Sequence, residues 1–155
     1  MLKRLGVTGA VVAVAALAAG SVGPAAGTGD HHGGRHTIRV ISHNTEEAFV
    51  DVGKKGFSLG DEFVFTSRLT HHGRKVGHTG VVCTITSVKR EESQCVGSAK
   101  LGRGEITIQG LQADDPQVFS FAITGGTGAF EGAEGTLVVR ELRHNRELLS
   151  FHLSD

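Results

Sequence analysis

At 155 residues the chain fits one domain, and its 16 Lys+Arg balance 16 Asp+Glu to a formal net charge of zero. That balance excludes the overall basic excess expected of a nucleic-acid-binding chain. Two cysteines and no tyrosine further restrict the chemistry available.

The first residues read as a processing segment rather than as part of the fold. Met1-Leu2-Lys3-Arg4 is a short basic head, Gly6 to Ala18 is an apolar run too short for a membrane span, and small residues follow at Ala18, Gly20 and Ala26. Residues 1–26 are therefore expected to be a signal peptide cleaved near 20–26, giving a secreted protein with no stable membrane insertion. Loss of Lys3 and Arg4 leaves 14 basic against 16 acidic residues, a formal charge of −2. Residues 27–35 form a Gly- and His-bearing stretch without periodicity, read as a flexible tail. His31, His32 and His36 are weak metal candidates there, since imidazoles suit copper, nickel or zinc. No carboxylate or cysteine set completes a site, so no metal is expected.

From Thr37 onward the hydrophobic period is two, and turn residues recur about every ten positions. The pattern predicts eight strands: 37–43, 62–70, 75–88, 93–101, 105–112, 118–124, 135–142 and 147–153. The connections are hairpin-sized, among them Asp114-Asp115-Pro116; Asn44 to Gly60 is the exception, a long segment expected to cover one mouth of the structure. Cys83 and Cys95 lie equally far from Lys89, within the polar run 89–93, so a hairpin there brings them opposite each other. In an exported chain they are expected to form a disulfide; the alternative is a reactive thiol pair.

Eight antiparallel strands joined by hairpins predict an all-β, up-and-down barrel enclosing room for a small ligand. A β-sandwich is the competing architecture. Alternation directs Phe63, Phe65 and Leu69, Ile106 and Ile108, Phe119, Phe121 and Ile123, and Leu149, Phe151 and Leu153 inward. Val64, Val82 and Val138 then face outward, either as ordinary sheet surface or as a subunit interface. The stretch Ile123 to Thr136 holds five glycines in eleven residues. It lacks the Lys-Ser/Thr of a phosphate loop and precedes a strand pattern rather than a helix, so it reads as a tight, bulged strand connection.

Several segments resemble the allene oxide cyclase barrel, in order. They are Leu59-Gly60-Asp61-Glu62-Phe63-Val64-Phe65-Thr66, Val76-Gly77, Gly80-Val81-Val82-Cys83, Ile106-Thr107-Ile108-Gln109-Gly110, the run Phe121 to Gly132, and Leu148 to Leu153. The Gly-Gly-Thr-Gly-x-Phe-x-x-Ala-x-Gly pattern is also similar to that of plant dirigent proteins, which steer coupling of phenoxy radicals; Glu134 stands where they usually carry arginine. The resemblance covers about residues 36–155 and implies an eight-stranded barrel with an apolar cavity, commonly assembled as a homotrimer; separately, no metal or organic cofactor is expected.

Counting back without gaps from Leu59-Gly60-Asp61, the family's active-site glutamate falls on Thr37, its two polar asparagines on Arg39 and Ser67, a serine-proline pair on Thr45 and Glu46, and a pocket tyrosine near Gln112. Only Cys83 keeps its pocket identity. Thr37 has no charge to stabilise a cationic transition state, so allene oxide cyclase activity itself is not expected. The implied pocket is Thr37, Arg39, Phe63, Phe65, Ser67, Cys83, Ile108 and Gln112. Alternation and the resemblance disagree in the first strand: alternation turns Ile38 and Val40 inward, the resemblance Thr37, Arg39 and Ile41. An inward Arg39 could anchor a carboxylate, at the cost of burying a cation.

Three readings of function follow. The first is an exported barrel that binds a small apolar molecule and directs its cyclisation or coupling. The second is an isomerase or cyclase using Thr37, Arg39, Ser67 and Gln112, and the third is an extracellular structural module whose barrel is filled by its own side chains.

Overall fold

In the computed structural model, residues 36–113 and 117–154 are described. The expected turn residues Asp114-Asp115-Pro116, the leader, and tail histidines His31 and His32 lie outside them. The described chain is all strand and turn: β1 (His36–Val50), β2 (Glu62–His71), β3 (Arg74–Ser87), β4 (Glu92–Leu101), β5 (Gly104–Ala113), β6 (Val118–Gly128), β7 (Glu134–Leu142) and β8 (Arg146–Ser154). Each strand pairs antiparallel with the next, and β8 closes on β1, giving a closed eight-stranded barrel. Among the described residues no helix is long and apolar enough to cross a membrane.

Turn chemistry sets the register. His72 and Gly73 both take positive φ and connect β2 to β3 in two residues, the geometry whose twist suits a tight hairpin. The β3–β4 hairpin places Cys83 directly opposite Cys95, and the two form a disulfide.

One correction concerns β1, which extends past His43 to Val50. A bulge between Asn44 and Glu46 inserts one residue against β2. It shifts the inward phase, so that Asn44, Glu47 and Phe49 lie opposite Ser67, Phe65 and Phe63. The long first connection therefore begins only at Asp51. Asp61 holds it: this fully buried carboxylate accepts hydrogen bonds from the Val52 amide at 2.8 Å, the Ser58 amide at 2.6 Å and the Ser58 hydroxyl at 3.3 Å.

The two halves of the interior differ. Leu69, Leu101, Ile106 and Phe130 fill the end that carries the glycine stretch. Phe130 sits there because Gly104 and Gly126 have no side chains. A Cβ on Gly104 would lie 3.1 Å from the Phe130 ring, and one on Gly126 would lie 2.8 Å from the Phe130 Cβ and 2.7 Å from the Glu105 carbonyl oxygen. The turn is tied down by the Ala129 amide donating to the Arg103 carbonyl at 3.0 Å and the Ala133 amide donating to the Phe130 carbonyl at 3.0 Å. The glycine stretch thus plugs one end, and the opposite end is left for the site.

Candidate functional site

The open half of the barrel holds a cavity of about 790 Å³. A drug-sized pocket falls in the range of roughly 300–1,000 Å³. The strand register builds its wall in layers. Phe63 on β2 is flanked by Phe49 on β1 and Cys83 on β3, and below it Phe65 is flanked by Glu47 and Val81. One layer deeper, Ser67 lies between Asn44 and Thr79. The facing wall is Phe119 and Phe121, in edge-to-face contact at 5.5 Å, with Leu137, Val139, Leu149 and Phe151. The interior is therefore unfilled in this half, which removes the filled-barrel alternative for the mouth end.

The mouth is aromatic. Phe57, on the long first connection, stacks against Phe49 at 6.4 Å, and Phe49 meets Phe63 at 5.1 Å. All three are 40 % or more exposed, which is unusual for phenylalanine in a protein without a bound partner. Asp61 fixes the segment that carries Phe57, so this cluster borders the cavity as a built edge.

A carboxyl lines the same cavity. Glu147 lines the cavity on β8, opposite Ser42 on β1 and Glu141 on β7. Burial raises its pKa above the ordinary carboxylate value, the Glu141 carboxyl pushes it in the same direction, and the Ser42 hydroxyl acts against both. A second carboxylate, Glu47, accepts from the Asn44 side-chain amide at 2.7 Å and is thereby oriented at the rim. A carboxyl whose proton is held more tightly than usual, in an apolar cleft, has the properties of a proton donor and acceptor toward a bound molecule.

Of the residues singled out from sequence, Phe63, Phe65, Ser67, Cys83, Ile108 and Gln112 line this cavity together. Thr37 and Arg39 do not. Thr37 Oγ1 lies 3.1 Å from His152 Nδ1, away from the cavity, and Arg39 is exposed, with its carbonyl 2.9 Å from His71 Nδ1. Val40 and Ser42 are the buried residues of that strand segment. The ungapped count from Leu59-Gly60-Asp61 runs through both the long connection and the β1 bulge, and so misplaces the faces beyond them. The four-residue polar constellation of Thr37, Arg39, Ser67 and Gln112 is consequently not assembled. His36 is exposed, and among the described residues no group of three His, Cys, Asp or Glu is placed to hold a metal ion.

Sequence reasoning missed Glu147, Ser42, Glu47 and Phe49. For Glu147 the signal was present: it shares the inward phase of Leu149, Phe151 and Leu153. The other three depend on the β1 register, and Glu47 and Phe49 on the bulge itself.

The closed barrel, its one-ended cavity and the plugging glycine turn agree with a match to the allene oxide cyclase barrel-like domain over residues 36–153. The chain belongs to the allene oxide cyclase barrel-like family. Among solved structures of this family's fold, a pyocyanin demethylase is 31 % identical, with 76 % of this chain and 99 % of that one covered at a TM-score of 0.70. A pterocarpan synthase dirigent protein is 15 % identical, covering 77 % and 83 % at a TM-score of 0.60. A Diels-Alderase from Streptomyces koyangensis is 13 % identical, covering 80 % and 70 % at a TM-score of 0.61. The last two share the fold alone. No curated protein matches this member of the family.

Proposed function

We propose that this family member is an exported barrel that takes one small apolar molecule through its aromatic mouth and directs a reaction on it, with Glu147 holding or moving a proton. The single observation that carries this reading is a carboxyl with a raised pKa on the wall of an apolar cavity of about 790 Å³. The apolar wall supplies affinity through burial, at about 25 cal/mol per Å² of apolar surface. Glu147 and Gln112 supply the polar contacts that orient the ligand. Export follows from residues 1–26 read as a signal peptide, and a disulfide is compatible with that compartment.

Cyclisation or coupling of an unsaturated substrate is the reaction that the resemblance to dirigent-like barrels implies. A second reading rests on the 31 % identity to a pyocyanin demethylase: the bound molecule is pyocyanin or a similar planar aromatic, and the reaction is its demethylation, in which water would take up the methyl carbon as formaldehyde while the ring system itself accepts the two electrons and two protons. One experiment separates the two. Purified protein is titrated with pyocyanin and with other planar aromatic probes by calorimetry, and each mixture is then analysed by mass spectrometry. Loss of a methyl group from pyocyanin supports the second reading, and binding without loss supports the first. No heat of binding with any probe sinks both.

A homotrimer is the assembly we propose, as the family resemblance implies. Its support on this chain is an outward row of Ala48, Val64, Val82 and Val96, which lie directly opposite one another across four strands. Sedimentation equilibrium returning a monomer at micromolar concentration would refute it.

A further inference from the structure

Charge is distributed unevenly between the cavity and the rest of the chain. The lining holds four carboxyls, Glu47 on β1, Glu91 on the β3–β4 turn, Glu141 on β7 and Glu147 on β8, against a single cation, Arg146. The whole chain carries 16 Lys+Arg and 16 Asp+Glu, so the acidic excess is a property of this site and not of the composition. Among the described residues the ion pairs are Arg90 with Glu92 at 3.2 Å and Lys100 with Glu105 at 3.9 Å, and none of those paired residues lines the cavity. Arg146 is exposed, and its Nε donates to the Arg143 carbonyl at 3.2 Å, which ties the guanidinium to the β7–β8 turn. With the proton of Glu147 in place, three carboxylates still face one guanidinium.

The same walls are aromatic. Seven of the chain's eight phenylalanines line the cavity, and the eighth is Phe130 at the plug. A phenylalanine face attracts a cation within about 6 Å of its centre, most strongly where water is excluded. Glu47, Glu91 and Glu141 are exposed at the rim, so each alone attracts weakly and is screened by salt. Several carboxylates around the opening of a low-dielectric cleft act together, and they concentrate ligands of the opposite sign there. Ring faces and rim therefore select the same charge.

We infer that the occupant of the cavity is an aromatic organic cation whose charge is spread over its ring system. The inference rests on the reading of the cavity as a ligand site and names the class of molecule it takes. An anion would meet carboxylates of its own sign. A neutral hydrocarbon would displace water from those carboxylates without supplying a countercharge. A primary ammonium is a compact, strongly hydrated point charge, costly to bring among phenylalanines, whereas a delocalised charge is weakly hydrated and keeps the apolar contacts. A metal ion does not suit, since among the described residues no three His, Cys, Asp or Glu are placed to hold one.

The test is calorimetry on the mature chain at pH 8 with three probes of one ring size: the N-methylacridinium cation, neutral acridine and the acridine carboxylate anion. The cation is expected to bind about tenfold more tightly than acridine, and the anion more weakly than acridine. Added salt should weaken binding of the cation and leave that of acridine in place. Glu47→Gln/Glu141→Gln should narrow the ratio of cation to acridine affinity several-fold. The control Glu131→Gln/Glu134→Gln removes the same charge at exposed positions of the plugged end and should keep the ratio; circular dichroism confirms that both variants are folded. Acridine binding as tightly as the cation, or a ratio in the Glu47→Gln/Glu141→Gln variant no lower than in the control, overturns the inference and leaves the ligand-site reading standing. Absence of binding by all three probes overturns both.

Discussion

Glu147 and Glu141 face one another across the β7–β8 hairpin, so two carboxyls share one side of the cavity mouth. Burial raises the pKa of Glu147, the Ser42 hydroxyl opposes that rise, and the Glu141 carboxyl adds to it. The folded state then holds the proton more tightly than the unfolded chain does. The associated stability is fully present below the ordinary carboxylate value of 4.5 and is lost as pH rises through the higher folded-state value. Glu147→Gln is therefore expected to raise the melting temperature at pH 7 and to leave it unchanged near pH 4. Thermal unfolding across that range checks the sign; a variant less stable at pH 7 would contradict the placement of Glu147.

The plugged end should be intolerant of one added carbon. Gly126→Ala places a methyl group against the Glu105 carbonyl and the Phe130 side chain, both backbone-anchored. Overpacking of this kind costs about 1–3 kcal/mol. Gly80→Ala, where a Cβ meets nothing within 4 Å, serves as the comparison and should be close to neutral. Urea unfolding of the two variants measures the difference.

Removing the disulfide has two separable effects. Cys83 and Cys95 close a loop with a sequence separation of 12, worth about 3 kcal/mol by chain entropy. Cys83 also lines the cavity, so Cys83→Ser/Cys95→Ser alters the ligand wall as well as the fold. Urea unfolding should show the loss of stability. Calorimetry with the tightest-binding aromatic probe should show weaker binding even where the variant is fully folded, and unchanged affinity would place the bridge outside the ligand's reach.

Asp61 is the support of the aromatic edge. Asp61→Ala leaves the Val52 and Ser58 amides without their acceptor, at a cost of about 1–3 kcal/mol. Hydrogen exchange of residues 51–60 should accelerate, and probe dissociation should become faster as Phe57 loses its fixed position over Phe49. Phe57→Ala, at an exposed residue, should speed dissociation with little change in stability.

The parts of this fold that were readable in the sequence are those set by local chemistry. Alternation located eight strands, and the symmetry about Lys89 placed Cys83 opposite Cys95, because a hairpin register follows from its turn. Inward Phe63, Phe65 and Ile108 follow from the same period. What escaped was non-local. The bulge after Asn44 is a mismatch between β1 and β2, visible only once the strands are paired, and it alone brings Glu47 and Phe49 to the cavity. Thr37 and Arg39 were carried across that irregularity by counting residues, and counting assumes a regularity the chain lacks. Glu147 was hidden differently: its phase was legible, but its significance depends on Ser42 and Glu141 arriving from other strands.

The Phe130 plug has a kinetic meaning. Among the described residues, a cavity stopped at one end has no exit distinct from its entrance, so a bound molecule must leave along the path by which it came. Outgoing and incoming molecules then contend for the same passage beneath Phe57. For the reaction proposed above, turnover would be governed by how soon the vessel empties, and accumulated product should inhibit by simple competition.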